Sequence, residues 1–310
     1  MIKLKKLLKL NFYNAIKFNI FKLFKKKYGL FKIKLGKIIL DIENEGISKT
    51  LAYYSVREED KLFILKKVLK QNDYVIDCGS NIGLYPKFIS EIIGPKGFIA
   101  CIEPDMRNVE ILEKNLKSVK CDYKIINKAI GYKNETRTFY RSKFTNLGSL
   151  NKTKNTSDVL DETNEFMIDV INFKNLAQTI ASQNNKRFSL LRMDIEGGEF
   201  EVFKSFIDNI EIFPNLNFLF ENHPVQYQKN TNELKNIFIK MNELGYKFKY
   251  IVSAGQPNPK NFKEFNIIPN KIIQSDFFER GFYEDIKFDH ALELVLNTPK
   301  VVRYAYLCRD

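Results

Sequence analysis

Hydrophobic and polar positions repeat in two alternating periods along most of the chain. Residues 57–70 carry Leu62, Leu65, Val68 and Leu69 at i, i+3 and i+4 spacing, which predicts a helix. Short, nearly all-apolar runs at 74–77, 98–103 and 123–126 then predict strands. Between them, helices are predicted over 84–93 and 106–119, the second turning Val109, Leu112, Leu116 and Val119 inward. The pattern resumes with a strand at 188–194, a helix through Phe200, Phe203, Phe206 and Ile207, a strand at 216–221 and a helix at 225–244. Strands at 246–252 and 301–307 close the series. Apolar strands alternating with amphipathic helices predict an α/β fold, a mostly parallel sheet with helices on both faces.

The flanks differ. Residues 31–35 and 37–42 are β-like, with Gly36 suited to the turn between them. Residues 151–165, rich in Asn, Thr, Asp and Glu, predict a surface loop, and 254–298 reads as an insertion. The expected organisation is a basic helix and β-like extension over 1–50, then one α/β domain over 51–310. No internal repeat is apparent.

Composition changes this picture in one place. The 310 residues suffice for one large core with appendages. Of a net charge of +13, twelve lysines fall in the first 40 residues, which hold no acid. The rest is close to neutral, so overall basicity is poor support for a nucleic-acid partner. In the first segment Leu4, Leu7, Leu8, Ala15 and Phe18 share a helical face, with Lys6, Lys9 and Lys17 roughly opposite. Beyond Asn19 the stripe rotates, which argues against one uninterrupted helix. The segment reads two ways: an anchor lying on an anionic membrane surface, or a helix packed on the domain with its lysines solvated.

Cys78, Cys101, Cys121 and Cys308 lie in or beside apolar runs without a C-x-x-C pair, and predict free, buried thiols. His223 and His290 are the only histidines and show no metal-ligand spacing, so no metal is expected. Lysines interrupt every apolar stretch near the start, and no run reaches the roughly 18 apolar residues of a membrane span. A cytoplasmic location is expected, the anchor reading adding contact with the inner membrane surface.

The sharpest constellation is Asp77-Cys78-Gly79-Ser80-Asn81-Ile82-Gly83, after a strand and opening a helix. Glycines there allow a tight turn and close approach to a ligand, and N–H groups at a helix start favour an anion. Glu103 ends the next strand, where a carboxylate can accept bonds from both ribose hydroxyls. The spacing D-x-G-x-x-x-G is not the one that wraps a pyrophosphate, and a leading Asp suits an ammonium better than a phosphate. S-adenosylmethionine carries an ammonium, a carboxylate and a ribose, and matches all three features.

A second acidic cluster, Asp194-Ile195-Glu196-Gly197-Gly198-Glu199, follows the strand 190–193, and Glu221-Asn222-His223-Pro224 follows the next. Both end at the edge that carries Gly79, where doubly wound folds place their chemistry. A carboxylate or imidazole there could accept a hydroxyl proton, and His223 has an ordinary pKa near neutrality. Bland readings stand beside these: Glu199 caps or solvates the helix, Glu196 bonds the turn, His223 is structural. Asp194 could instead hold an ammonium or a cation.

These residues resemble the FkbM family of methyltransferases. The matching segments are VIDCGSNIG (75–83), CIEPDMRN (101–108) with Asn115, NKAIGYKNET (127–136), LLRMDIEGGEFEVFKSF (190–206) and FLFENHP (218–224). The resemblance implies a Rossmann-like, seven-stranded methyltransferase sheet with a reversed last strand, for which 301–307 is the candidate. It implies O-methylation of a sugar or another small hydroxylated metabolite. Asp77, Gly79, Asn81, Gly83 and Glu103 would bind the cofactor, and Ser80 and Asn127, within the matched segments, join that set. Asp194 and Glu196 would line the reaction centre, with Glu221 and His223 beside them. INFKNL (171–176) departs from the threonine-leucine-aspartate turn usual there.

The implied reaction is an in-line displacement in which a substrate oxygen takes the sulfonium methyl, leaving S-adenosylhomocysteine. Two other readings compete. One is RNA 2′-O-methylation, disfavoured by charge confined to one terminal segment. The other is a membrane-surface protein whose methyltransferase fold is idle, disfavoured by an intact Asp77, Gly79 and Glu103.

Overall fold

Every residue of β3 (Tyr74–Cys78) and β4 (Phe98–Ile102) is buried, because helices cover both faces of these strands. The computed structural model describes residues 2–43, 46–55, 57–142, 148–150, 160–180, 187–224, 228–297 and 301–309. β3 and β4 pair in parallel, and β5 (Asp122–Ile126), β9 (Phe188–Met193) and β10 (Asn217–Glu221) run the same way. Direction then reverses. β14 (Val302–Arg309) lies antiparallel between β10 and β11 (Tyr246–Ser253), so the reversed last strand is found where the sequence places it.

The sheet nevertheless corrects the expectation of seven, mostly parallel strands. It has nine, in the order β12-β13-β11-β14-β10-β9-β3-β4-β5, and is mixed. The two additions, β12 (Lys271–Ser275) and β13 (Phe278–Glu284), form a hairpin on the β11 edge. They arise from 254–298, which also supplies α9 (Lys260–Glu264) and α10 (Phe288–Leu296). Both strands bury only part of their length, so their pattern is weaker than that of β3.

Side chains alternate across the sheet and divide the core. Tyr74, Ile76 and Cys78 face α6 (Phe173–Thr179), α7 (Glu199–Ile207), α8 (Thr231–Glu243) and α10. Val75 faces the opposite layer of α3 (Glu59–Val68), α4 (Leu84–Ile93) and α5 (Met106–Leu116). All four cysteines are free and buried. A separate three-stranded sheet joins β6 (Ala129–Ile130), β8 (Leu160–Ile171) and β7 (Glu135–Ser142). Of the loop expected at 151–165, residues 160–165 thus belong to β8, and 151–159 lie outside the described residues.

The N-terminal segment is one uninterrupted helix, α1 (Ile2–Leu23), rather than a helix broken after Asn19. The face rotation leaves a second apolar stripe outside instead of ending the helix. α1 packs on the hairpin β1 (Tyr28–Ile33) and β2 (Gly36–Asp41) and on α2 (Ile47–Tyr54). Phe18, Phe31, Leu40 and Leu51 share a cluster with Ile82, Leu84 and Ile111, so the extension braces the glycine loop. Asn115 secures it, its Nδ2 donating to the carbonyls of Ile82 at 2.7 Å and Ile39 at 3.0 Å. No helix among the described residues is long and apolar enough to cross a membrane.

Candidate active site

The turn after β3 is tight because two of its residues are glycines in the left-handed region. Gly79 has φ +76, and a Cβ there would stand 2.2 Å from the carbonyl oxygen of Asp194. Gly83 has φ +88 and lets α4 approach Leu112 of α5. The N–H groups are not left for an anion, as the sequence suggested. Those of Gly79 and Ser80 donate to the Ile102 carbonyl, and that of Gly83 to the Ser80 carbonyl. The Ile82 N–H donates to Asn81 Oδ1, and the Asn81 N–H to Glu103 Oε2 at 2.7 Å. The loop is a preformed wall rather than a cluster of vacant donors.

That wall borders a cleft of about 1180 Å³, open mouth included, at the carboxyl ends of β3, β4, β9 and β10. Gly79, Ser80, Asn81, Glu103, Asp194, Glu196 and Glu221 all line it. Ile102, Ala129, Ile130 and Phe139 give one side an apolar surface. Glu103 Oε1 accepts from the N–H of Asp105 and from Asn108 Nδ2, each at 3.0 Å. With one bond to Oε2, three of about four acceptor sites are used, leaving room for a hydroxyl. Burial pushes the Glu103 carboxyl up to about 7, against the three bonds that favour its charged form.

Three expected contributors sit behind the wall. Asp77 is fully buried, accepts from Ser80 Oγ at 2.7 Å, and pairs with Arg192 at 3.3 Å. It is not part of the cleft lining and shapes the loop from behind. Asn127 Nδ2 donates to the carbonyls of Glu103 and Pro104, at 3.0 and 2.9 Å, and positions Glu103 from outside. Gly83 closes the turn through its N–H and packs on Leu112.

The second acidic cluster is organised by cations that sequence reasoning missed. Lys61, 1% exposed, places its Nζ 2.7 Å from Asp194, 3.2 Å from Glu221 and 3.3 Å from Glu58. The rings of Tyr85 and Tyr304 lie 4.7 and 4.6 Å from the same ammonium. Arg192 donates to Asp194 at 2.8 Å and to the Gly79 carbonyl at 3.0 Å, tying the glycine loop to the end of β9. Arg303 reaches Glu58 at 3.1 Å and Glu221 at 3.7 Å. Glu58, Asp194 and Glu221 could together ligate a cation, and the Lys61 ammonium lies within 3.3 Å of all three.

These neighbours separate the acids chemically. Burial would raise Asp194, but Lys61 and Arg192 outweigh it and hold its carboxyl well below the usual range. Glu58 is held down likewise, by Lys61 and Arg57 against burial. Glu221 moves up, through burial and then through Asp194. Glu196 is pushed up to about 7, chiefly by burial, with the nearby imidazole opposing.

His223 has an acid beside each ring nitrogen. Its Nδ1 lies 2.8 Å from Glu199 and its Nε2 3.6 Å from Glu196. Burial would lower its pKa, yet Glu199 and Glu196 outweigh it and raise it well above the ordinary value. Glu199, 1% exposed, is its counter-ion rather than a solvated helix cap. His290, in α10, stacks on Phe265 with centroids 4.5 Å apart, away from the cleft lining.

The donor set suits an adenosyl sulfonium compound: an apolar wall, a buried acid at the end of β4, and acids facing the cleft. Residues 77–248 match the methyltransferase FkbM domain, over half of the chain, and the chain belongs to that family. The domain is an S-adenosylmethionine-dependent methyltransferase. Among solved structures, methyltransferase FkbM from Methylobacillus flagellatus KT is 12% identical, with a TM-score of 0.36. The alignment covers 76% of this chain and 52% of that one, so this chain spans about half its length. The S-adenosylmethionine-dependent O-methyltransferase of Thermotoga maritima is 14% identical, covering 93% and 80%, with a TM-score of 0.39. TYW2 of M. jannaschii in complex with AdoMet is 12% identical, covering 92% and 88%, with a TM-score of 0.42. No curated protein matches the chain.

Proposed function

We propose that the domain methylates a hydroxyl of a sugar or other small metabolite, with Glu196 taking up the hydroxyl proton. One observation carries this reading: Glu196 lines the cofactor cleft beside Asp194, and burial brings its carboxyl to about 7. Asp194 and Glu58 are held too acidic to serve, and the acids on both sides of His223 favour its protonated form. A neutral hydroxyl is a weak nucleophile and benefits from a base matched to the working pH. The cofactor supplies a methyl group already activated by the sulfonium charge. Asp194 or Glu58 faces the cleft where an ammonium could be held, and Arg57 and Arg192 where a carboxylate could be. Glu103 takes the ribose.

Five acids against two arginines in the cleft wall also weigh against a phosphodiester chain as acceptor. Transfer of a labelled methyl group to neutral glycosides, with RNA assayed in parallel, tests the reading. Label in glycoside and none in RNA is the expected result; label in RNA alone would replace it.

Glu103→Ala should weaken cofactor binding at least ~10-fold, a buried bond to a charged group contributing about 1.5–3 kcal/mol. A ribose favours the charged carboxylate, so wild-type affinity should be full above pH about 7 and decline below it. Calorimetry across that range checks both, and a flat profile with unchanged affinity in the variant would refute the ribose assignment.

A second contact is proposed for α1. Phe12, Ile16, Ile20 and Leu23 are exposed at i, i+4, i+8 and i+11, with exposed Lys22, Lys25 and Lys26 nearby. Apolar burial and lysine attraction together suit an anionic membrane surface. Sedimentation with phosphatidylserine-rich vesicles should be lost in Ile16→Glu with Ile20→Glu; equal binding to phosphatidylcholine alone would contradict it.

A further inference from the structure

We infer that a second cavity, walled by segments outside the family domain, is the acceptor subsite and takes an uncharged pyranose residue. This rests on the reading of the domain as a hydroxyl methyltransferase. The cavity, about 1240 Å³ with its mouth, is walled by Asn11 of α1, Tyr54 of α2, Arg57, the Phe277 turn, Arg280 and Arg303. None of its lining residues falls within 77–248. Arg57 lines this cavity and the cofactor cleft alike, so the two spaces share a wall. On the same side, Arg303 contacts both Glu58 and Glu221. An acceptor seated here lies one side chain from the acids of the reaction centre.

The rim is built at a conformational cost. Asp276 and Phe277 join β12 to β13 in a two-residue turn, with φ +49 and +69. Such turns favour Asn-Gly, and a left-handed non-glycine residue costs about 1–2 kcal/mol. Burial does not offset it, since Phe277 is 78% exposed. Its ring meets that of Tyr54, itself 44% exposed, with centroids 4.8 Å apart at 77°. Asp276 fixes the turn, accepting from the Glu58 N–H at 2.9 Å and from Arg303 at 2.8 Å. An exposed aromatic residue held in a strained turn beside a cavity, with a second ring against it, is a surface for stacking a ligand.

Inside, one polar atom awaits a partner. Asn11 Oδ1 is buried with no hydrogen-bond partner among the described residues. It accepts, and a sugar hydroxyl can donate to it. The charge balance selects a neutral ligand. Arg280 pairs with Asp60 at 3.2 Å, Arg303 with Asp276 at 2.8 Å, and Arg57 with Glu58 at 3.6 Å. Arg280 and Arg303 thus leave no surplus positive charge in this cavity for an anionic acceptor, and Arg57 is shared with the cofactor cleft. A pyranose offers an apolar C–H face to the rings and hydroxyls to the interior.

The chain has no tryptophan, so Phe277→Trp installs a single fluorophore that keeps the aromatic rim. With S-adenosylhomocysteine saturating, it is titrated with neutral methyl glycosides of glucose, mannose, galactose, rhamnose and fucose. The expected result is a saturable emission change with at least one of them, its midpoint raised about tenfold by Tyr54→Ala. Tyr123→Trp, on β5 at the opposite sheet edge, should not respond. Where transfer is measurable, Tyr54→Ala with Phe277→Ala should raise the glycoside KM about tenfold, with S-adenosylmethionine affinity within about twofold. No saturable response to any glycoside, while S-adenosylmethionine still binds, overturns the subsite and leaves the methyltransferase reading intact. An unchanged KM in the double variant also overturns it. Failure of the wild type to methylate any hydroxyl compound overturns both.

Discussion

Lys61→Met is expected to destabilise the protein by about 3–5 kcal/mol, the usual consequence of removing one partner from a buried ionic cluster. Methionine keeps much of the volume, so the loss is electrostatic. Glu58, Asp194 and Glu221 would be left within reach of one another without the ammonium at their centre. Arg192 and Arg303 would compensate only in part, since each is already engaged elsewhere. The sign with pH follows from the depressed pKa values of Asp194 and Glu58. Their stabilising contribution is present above the ordinary carboxylate range and is lost as pH falls through the folded values. The gap between wild type and variant should therefore be widest near neutral pH and narrow in acid, where the uncompensated acids take up protons. Denaturant titration at two pH values measures it, and a neutral-pH difference under about 1 kcal/mol would contradict the cluster's role.

Glu196→Gln should lower kcat by about 10²- to 10⁴-fold, the range for loss of a general base. Cofactor affinity should change little. In the wild type, kcat should rise as pH increases through about 7, where Glu196 loses its proton, and level off above. Glutamine cannot titrate, so the residual rate of the variant should lack that rise. His223→Gln separates the roles: an imidazolium that only steadies Glu196 should shift the rise upward without abolishing it. A Glu196→Gln enzyme with the wild-type profile would assign the proton to another group.

Both predictions concern residues whose legibility in the sequence was unequal. The parallel strands were readable because β3 and β4 are apolar at nearly every position, which only a sheet covered on both faces requires. Glu103 was readable because an acid ending the strand after a glycine loop has few other reasons to be buried. The burial of Asp77 was not readable, because spacing gives no side-chain direction. Asp77 sits opposite Arg192 across the β3–β9 pairing and is consumed by it. Arg192 itself, within the run Leu190-Leu191-Arg192-Met193, carried a signal: a charge inside a buried strand needs a buried partner.

Lys61 was harder. It ends the run Arg57-Glu58-Glu59-Asp60-Lys61, which reads as a solvated helix start, yet it shares a face with Ile64, Leu65 and Val68. Two of its three acids, Asp194 and Glu221, come from the ends of distant strands, a conjunction that only tertiary structure reveals. The β12–β13 hairpin was hidden for a different reason. β12 buries only isolated positions, the buried run of β13 includes Arg280 and Gly281, and the turn uses Asp-Phe where Asn-Gly would have announced it.

A crystal structure with S-adenosylhomocysteine tests the whole account most directly. The ribose hydroxyls should lie within hydrogen-bond distance of Glu103, the adenine against Ile102 and Ile130, and the sulfur directed toward Glu196. A nucleoside bound elsewhere, with Glu103 still holding only Asn81, Asp105 and Asn108, would contradict it.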